Sequence, residues 1–304
     1  MGKASRRARQ AERRQGSTVS TAAPFVARPF EGLPGETDIV AMREIVPAAT
    51  ATVRLRRDSE ALVAAAGEAG VPETLTLATV LPMAWPGLHR ADGVRMIGLQ
   101  SGSTSGDHSR DIAHVLLELL GTPEGMPARP TTVAEYATPR LQDLVDLDAP
   151  LVVDMHETFD FWIAPGRDLD AEGKASLEQT NASIIPTTRL SSVESAYWCR
   201  VGERTHLRWL LPHDEDRATD ALARLVAAGA ESLGPDTRLL GAFRACGLLV
   251  PVWDLDPALE AGDHEDAVAA LSARFEEAYA ADGSLTPEER RARAGLLGRQ
   301  MTLR

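Results

Sequence analysis

The sequence predicts an α+β fold of mainly antiparallel sheets with flanking helices, and three observations carry that expectation. β-rich runs come in pairs separated by short turn-forming segments, as at 74–82 with 94–100 and at 237–246 with 248–255. Segments with apolar residues at helical spacing lie between those pairs rather than after every single strand. No GxGxxG follows a strand and no GxxxxGK[ST] occurs anywhere, which disfavours a doubly wound nucleotide-binding sheet and a P-loop.

Taken in order, Gly35–Val46 places Ile39, Met42, Ile45 and Val46 at helical offsets, and Pro47 stops that helix. Thr50–Arg56 alternates with Ala51, Val53 and Leu55 on one side, as a strand does. Asp58–Gly70 reads as a helix carrying Leu62, Val63 and Ala66 and ending on glycine. Thr74–Pro82 and Val94–Gln100 read as strands joined through Asp92-Gly93, the chemistry of a tight turn. A Gly/Ser/Thr loop, 101–106, precedes Asp107, which has the character of an N-cap for a helix burying Ile112, Val115, Leu116 and Leu119.

Prolines 123, 127, 130, 139 and 150 leave little room for regular structure before Leu151. Strands are then expected at Leu151–Glu157, Phe159–Ala164, Ser183–Leu190, Ser195–Arg200 and His206–Leu211, followed by a helix capped by Asp214. Thr237–Cys246 and Leu248–Leu255 read as a hairpin turning at Gly247, with Pro251 arguing for an edge or bulged second strand. Helices close the chain at Asp263–Ala281 and from Thr286, where Thr286, Pro287 and Glu289 form a capping box. Strand, turn, strand, polar loop and Asp-capped helix thus recur at 74–120 and 195–229, a pattern suggesting two related β-β-α halves although residue identity between them is poor.

The domain reading that follows is a basic arm over 1–24, a first α+β half over 28–122, a Pro-rich linker over 123–150 and a second half with C-terminal helices over 151–304. A length of 304 residues fits it at roughly 150 residues per domain. With 44% hydrophobic and 25% charged residues the composition is that of an ordinary globular chain. Charge is segregated. Residues 1–20 hold Lys3, Arg6, Arg7, Arg9, Arg13 and Arg14 against Glu12, a net of +5 in a chain of −12, which leaves −17 for the remainder. Lacking a continuous apolar face, such an arm is expected to be disordered, and either to serve as a solubilising extension or to seek phosphate or another acidic surface through Arg6, Arg7, Arg9, Arg13 and Arg14.

Cys199 and Cys246 stand alone in apolar contexts, so a disulfide framework and a four-ligand zinc cage are both unexpected, and no cofactor is implied. The longest uncharged run, Thr74–Leu88, is shorter than the roughly 18 residues of a membrane helix and contains two prolines. Ala22–Ala27 is too short for the apolar core of a secretory signal, so the expected location is the cytoplasm.

No catalytic motif stands out. The 101–106 loop ahead of a helix resembles a phosphate cradle, yet Asp107 would occupy that positive helix end itself. Asp111, His114 and Glu118 share a helix face without spacing that selects a metal over a solvated surface. Asp154, His156, Glu157 and Asp160 gather near one strand break, again with no rule selecting them, and serines lack a GxSxG elbow. Trp198, Trp209 and Trp253 fall in strands, where large aromatics pack in the core or at the sheet face, with ligand stacking as the alternative. If the two halves pair, Asp107, His108 and Asp111 would meet His213 and Asp214 in one cleft, the candidate binding site of the sequence.

Several runs carry a resemblance: 30–36 (FEGLPGE), 43–49 (REIVPAA), 79–84 (TVLPMA), 105–107 with 109–111 (SGD and SRD), 197–199 (YWC), 206–209 (HLRW), 250–255 (VPVWDL) and 299–300 (RQ). On these, residues 28–304 resemble a family of uncharacterised cytoplasmic proteins from actinobacteria. Many relatives in it carry an N-terminal SEC-C zinc knuckle. No cysteine precedes Cys199 here, so the zinc and translocase associations of that knuckle do not transfer. The resemblance implies no reaction and no catalytic residue. The leading expectation is therefore a binding or interaction module whose arm takes an unknown acidic partner, with nucleic acid or the ribosome among the candidates and no membrane. The alternative is a small-molecule enzyme with its cleft at the helix starts near 107 and 214. Oligomeric state is not legible.

Overall fold

In the computed structural model, residues 22–100, 105–129 and 133–298 are described. The helix ends form where the cap chemistry predicts. Asp107 accepts from Ser109 N at 3.1 Å, Asp214 from Arg217 N at 3.0 Å, and Thr286 and Glu289 exchange bonds to each other's backbone at 3.2 and 2.7 Å.

Along the described chain run α1 (Glu36–Glu44), β1 (Ala49–Arg54), α2 (Glu60–Ala66), β2 (Thr74–Ala78), β3 (Gly87–His89), β4 (Arg95–Gly98), α3 (His108–Leu120), β5 (Met126–Pro127), α4 (Leu141–Leu144) and β6 (Val152–Met155). After these come α5 (Ala171–Asn181), β7 (Thr187–Arg189), β8 (Ala196–Val201), β9 (Arg204–Trp209), α6 (Glu215–Ala228), β10 (Arg238–Ala245), β11 (Leu248–Leu255), α7 (Glu265–Ala280) and α8 (Pro287–Gly298). Two sheets result, ordered β5-β3-β4-β2-β1-β6 and β10-β11-β9-β8-β7. Every pairing is antiparallel except β2 with β4, so the α+β expectation holds.

Four local expectations are corrected. The runs at 74–82 and 94–100 do not form one hairpin. After β2 the chain turns at Pro82–Ala84, with Met83 and Ala84 both left-handed, and runs out along β3. It then returns through Asp92-Gly93 to insert β4 between β3 and β2. Gly98 sits at the crossing, where an added Cβ would lie 2.9 Å from Trp85 O. The 74–120 and 195–229 units therefore differ in build, since β8 and β9 are plain antiparallel neighbours. Phe159–Ala164 is not a strand but a 3₁₀ turn at Asp160–Trp162, closed by Phe159 stacked on Trp162 at 4.6 Å. α5 occupies a stretch in which sequence pattern gave no helix, because none of its residues is buried and no apolar stripe marks it. β11 is central, between β10 and β9. Pro251 is tolerated because the β9 ladder covers only Val252–Leu255, and the irregularity falls on β10 between Leu239 and Gly241.

Alternation along the second sheet separates two cores. Tyr197, Phe243, Val250 and Val252 face a cluster built from α1, α3 and the first sheet. Trp198, Trp209, Leu249 and Trp253 face the opposite way, against α6, α7 and Leu296 of α8. β6 completes the first sheet beside β1. Glu265, at the start of α7, accepts from the Ser191 and Ser192 amides at 2.8 Å each; these bonds pull its carboxyl down to about 2.

α1 joins the sheets, and Thr37 through Met42 are all buried, as expected of a helix covered on several sides. Its Asp38 carboxylate meets the second sheet directly. Arg189 lies 3.1 Å from Oδ1, Tyr197 OH donates to it at 3.2 Å, and Ser195 Oγ is within reach of both Asp38 Oδ1, at 3.1 Å, and Thr37 Oγ1, at 2.7 Å. Thr37 in turn donates to Glu194 at 3.0 Å. Burial and the Asp38 charge push the Tyr197 phenol well above its ordinary value, so it remains a donor.

Residues 22–30 form a strap. Ala23 N donates to Ala134 O at 3.1 Å, Val26 N to Gly106 O at 2.7 Å and Gly106 N to Ala23 O at 3.2 Å. Further on, the strap packs on the β10–β11 turn, where Cys246 and Gly247 are both left-handed, the two-residue hairpin turn that suits the strand twist. Arg28 then pairs with Glu36 at 2.7 Å and reaches Pro212 O at 3.3 Å.

Two outcomes are expected. Asp38→Ala removes the acceptor shared by Arg189, Ser195 and Tyr197. Arg189 is 35% exposed and can be resolvated, which reduces the penalty, so a loss of roughly 1–3 kcal/mol is expected in urea unfolding; an unchanged midpoint would show that the apolar contacts of α1 suffice. Gly247→Ala combines a φ of +82° with a Cβ 2.6 Å from Ala27 O. It should lower stability by roughly 1–3 kcal/mol and speed proteolysis within the strap, read by mass spectrometry of the fragments.

Candidate functional site

The start of α3 is where the strap, α3 and the segment from 133 to 142 converge. Asp107, 1% exposed, lies at its centre, with Arg110 Nε at 3.3 Å and Arg140 Nε at 3.1 Å from Oδ2. Arg140 also donates to Pro29 O at 2.7 Å, and Gln142 to the same carbonyl at 2.9 Å. Ser109 Oγ donates to Gln142 Oε1 at 2.5 Å and accepts from Leu141 N at 2.9 Å. Asp107 therefore works as a cap and as a clamp on two arginines.

Outward from this clamp the Arg110 guanidinium stacks over Tyr136 at 5.2 Å and donates to Thr138 O. Tyr136 remains 66% exposed. Phe25, on the strap, is 81% exposed and follows Pro24, whose carbonyl carbon would lie 2.6 Å from a Cβ on Gly106. Close approach here requires glycine at 106. Two aromatic rings are thus presented where the described chain begins, just after the basic segment. Arg6, Arg7, Arg9, Arg13 and Arg14 lie outside the described residues, as do residues 101–104 of the Gly/Ser loop.

The other sequence-derived candidates are each held by local partners. His108 Nε2 is 3.4 Å from Arg43 Nη2 and its Nδ1 3.6 Å from Asp111 Oδ2, while Asp111 accepts from Ser105 N at 3.0 Å. His213 Nε2 faces Glu276 at 3.2 Å, with its ring edge-on to Phe275 and Tyr279. Asp214 caps α6. Arg43 is in the last turn of α1, whereas Arg28, which reaches the carbonyl next to His213, pairs with Glu36 in the first. The two groups thus reach α1 through arginine contacts at its last and first turns. Among the described residues no group of three or more His, Cys, Asp or Glu side chains is arranged to hold a metal ion. His156 is 2.8 Å from Thr50 Oγ1 and 4.8 Å from the Phe161 ring, and burial lowers its pKa.

Both cysteines are free. Burial, then the neighbouring Glu44 charge, pushes the Cys246 thiol up to about 12. Sequence reasoning missed Arg140, Tyr136 and Phe25, whose roles depend on partners 26 to 111 positions away; only the sidedness of Asp107 as a cap was readable locally.

The fold places the chain among α+β proteins built on two mostly antiparallel sheets. It belongs to a family of unknown function, DUF5926, whose profile matches residues 29–304. No curated protein and no solved structure matches it. Among the described residues no helix is long and apolar enough to cross a membrane.

Because the thiolate is the reactive form, Cys246 in the folded protein should be alkylated by iodoacetamide at pH 8 at least tenfold more slowly than in urea, with the rate climbing only toward pH 12. The folded value lies above the ordinary one of 9.0, so stability is retained below pH 9 and falls as pH rises from there toward about 12. Equal rates in the folded and unfolded chain would refute the buried, protonated thiol.

Proposed function

We propose that this protein is a cytoplasmic binding module, and that its partner is a single-stranded nucleic acid taken by the basic arm and the aromatic face at the arm's root. The observation that carries this reading is the strap, which sets Phe25 and Tyr136 beside the point from which the arginine-rich segment extends. Arginines in the arm suit phosphates, whereas exposed rings suit unstacked bases of any sequence. A remainder of −17 repels a polyanion elsewhere on the surface and so confines contact to this root. Two unpaired cysteines accord with a reducing compartment.

Anisotropy of a fluorescent oligouridylate should report binding that weakens steeply with salt, as counterion release from several phosphates requires. Deleting residues 1–20 should weaken it at least tenfold in 50 mM salt. The double change Phe25→Ser and Tyr136→Ser should weaken it severalfold and leave the salt slope unchanged. Unaltered binding after the deletion would overturn the role of the arm, and equal competition by polyglutamate would overturn nucleic acid in favour of an acidic protein.

A further inference from the structure

We propose that the cleft roofed by α5 is a binding site for a small, largely apolar molecule bearing a single anionic group. The cleft has a volume of about 470 Å³, which falls within the range of small-molecule sites. It lies between β3 and α5, with Leu88, Trp162, Ala164 and Leu177 as apolar walls and Arg90 and Arg167 as cations. It shares no lining residue with the strap and uses none of the residues proposed for nucleic-acid contact.

Its floor is fixed. Trp162 stacks on Phe159 and donates Nε1 to Val80 O at 2.9 Å, so the indole presents a rigid apolar face. Arg90 is neutralised by Asp92, with bonds of 2.9 and 2.8 Å, and is tied to Phe161 O. Its roof is different in kind. α5 is an 11-residue helix with no buried residue, and Leu177, which lines the cleft, is only half-buried. A helix of that length normally buries an apolar stripe; here the space such a stripe would fill is empty. At the lip Met83 is 86% exposed, and it and Ala84 hold left-handed backbone that neither side chain favours. Strain of that sort concentrates at ligand clamps.

The charge at the mouth selects the ligand. Arg167 is exposed, lines the cleft and has no ion pair among the described residues. Its neighbour Asp168 also lines the cleft, so a second negative charge on the ligand would be repelled. An apolar body with one carboxylate or sulfonate satisfies both.

Two dyes test this: 1-anilinonaphthalene-8-sulfonate, which is anionic, and N-phenyl-1-naphthylamine, which is neutral. Both should show saturable fluorescence enhancement at one site on the full-length protein. Ser176→Trp, on an exposed position of the roof that faces the cleft, should weaken both at least tenfold with near-UV circular dichroism outside the new indole preserved. Arg167→Gln should weaken the sulfonate at least fivefold and leave the neutral dye within twofold. Phe25→Ser should leave both unchanged, which separates this site from the arm root. No enhancement with either dye, or enhancement indifferent to Ser176→Trp, would overturn the site. Equal weakening of both dyes by Arg167→Gln would overturn its anionic preference.

Discussion

A single carboxylate facing the wrong way for a simple amphipathic helix organises this molecule. Asp38 projects from α1 into the second sheet and collects Arg189, Ser195 and Tyr197. Buried polar groups cost free energy unless every partner is supplied, and this one is supplied from two strands and the loop between them. Apolar packing alone would let α1 slide over Tyr197, Phe243 and Val250, because hydrophobic burial is non-directional. The Asp38 cluster fixes the register. Ser195 adopts left-handed backbone at this point, with φ of 53°, and so brings its hydroxyl under both Thr37 and Asp38.

The strap is a second constraint of the same sort. It depends on glycines at two places where no side chain fits, Gly106 against Pro24 and Phe25, and Gly247 against Ala27 and Arg28. The first belongs to the end of the Gly/Ser loop ahead of α3, the second to a hairpin in the other sheet. One nine-residue segment therefore touches both the loop ahead of α3 and the β10–β11 hairpin of the second sheet, through two backbone approaches far apart in sequence.

Local chemistry was legible from sequence, and tertiary exchange was not. Asp107, Asp214 and Thr286 announce helix starts because a cap satisfies amides two or three residues away. The hairpin at Cys246-Gly247 is equally local. The order of β2, β3 and β4 was hidden because nothing between 79 and 94 states whether the chain turns back or crosses over; only the left-handed pair Met83 and Ala84 enables the crossing, and backbone angles of that sort have no reliable signature in non-glycine residues. α5 escaped because its residues bury nothing, so periodicity had nothing to report. The candidate cleft between the two Asp-capped helices rested on their spatial pairing, which local pattern does not encode; in the fold His108 meets Arg43 and His213 meets Glu276.

The Asp107 clamp also bears on how the arm root works. Arg110 is committed to Asp107, to Thr138 O and to the Tyr136 ring, and Arg140 to Asp107 and Pro29 O. Neither guanidinium is free to take up a phosphate without surrendering a buried partner, which leaves an uncompensated carboxylate behind. Their work is positional: Arg110 holds Tyr136 in place and covers one face of its ring, leaving the rest open. In the proposed nucleic-acid reading, affinity for charge is therefore assigned to the arm, and affinity for bases to Phe25 and Tyr136. On that reading a salt slope counts arm arginines alone, while the aromatic contribution survives high ionic strength. Two separable terms at one place follow from where a buried aspartate directs its two arginines.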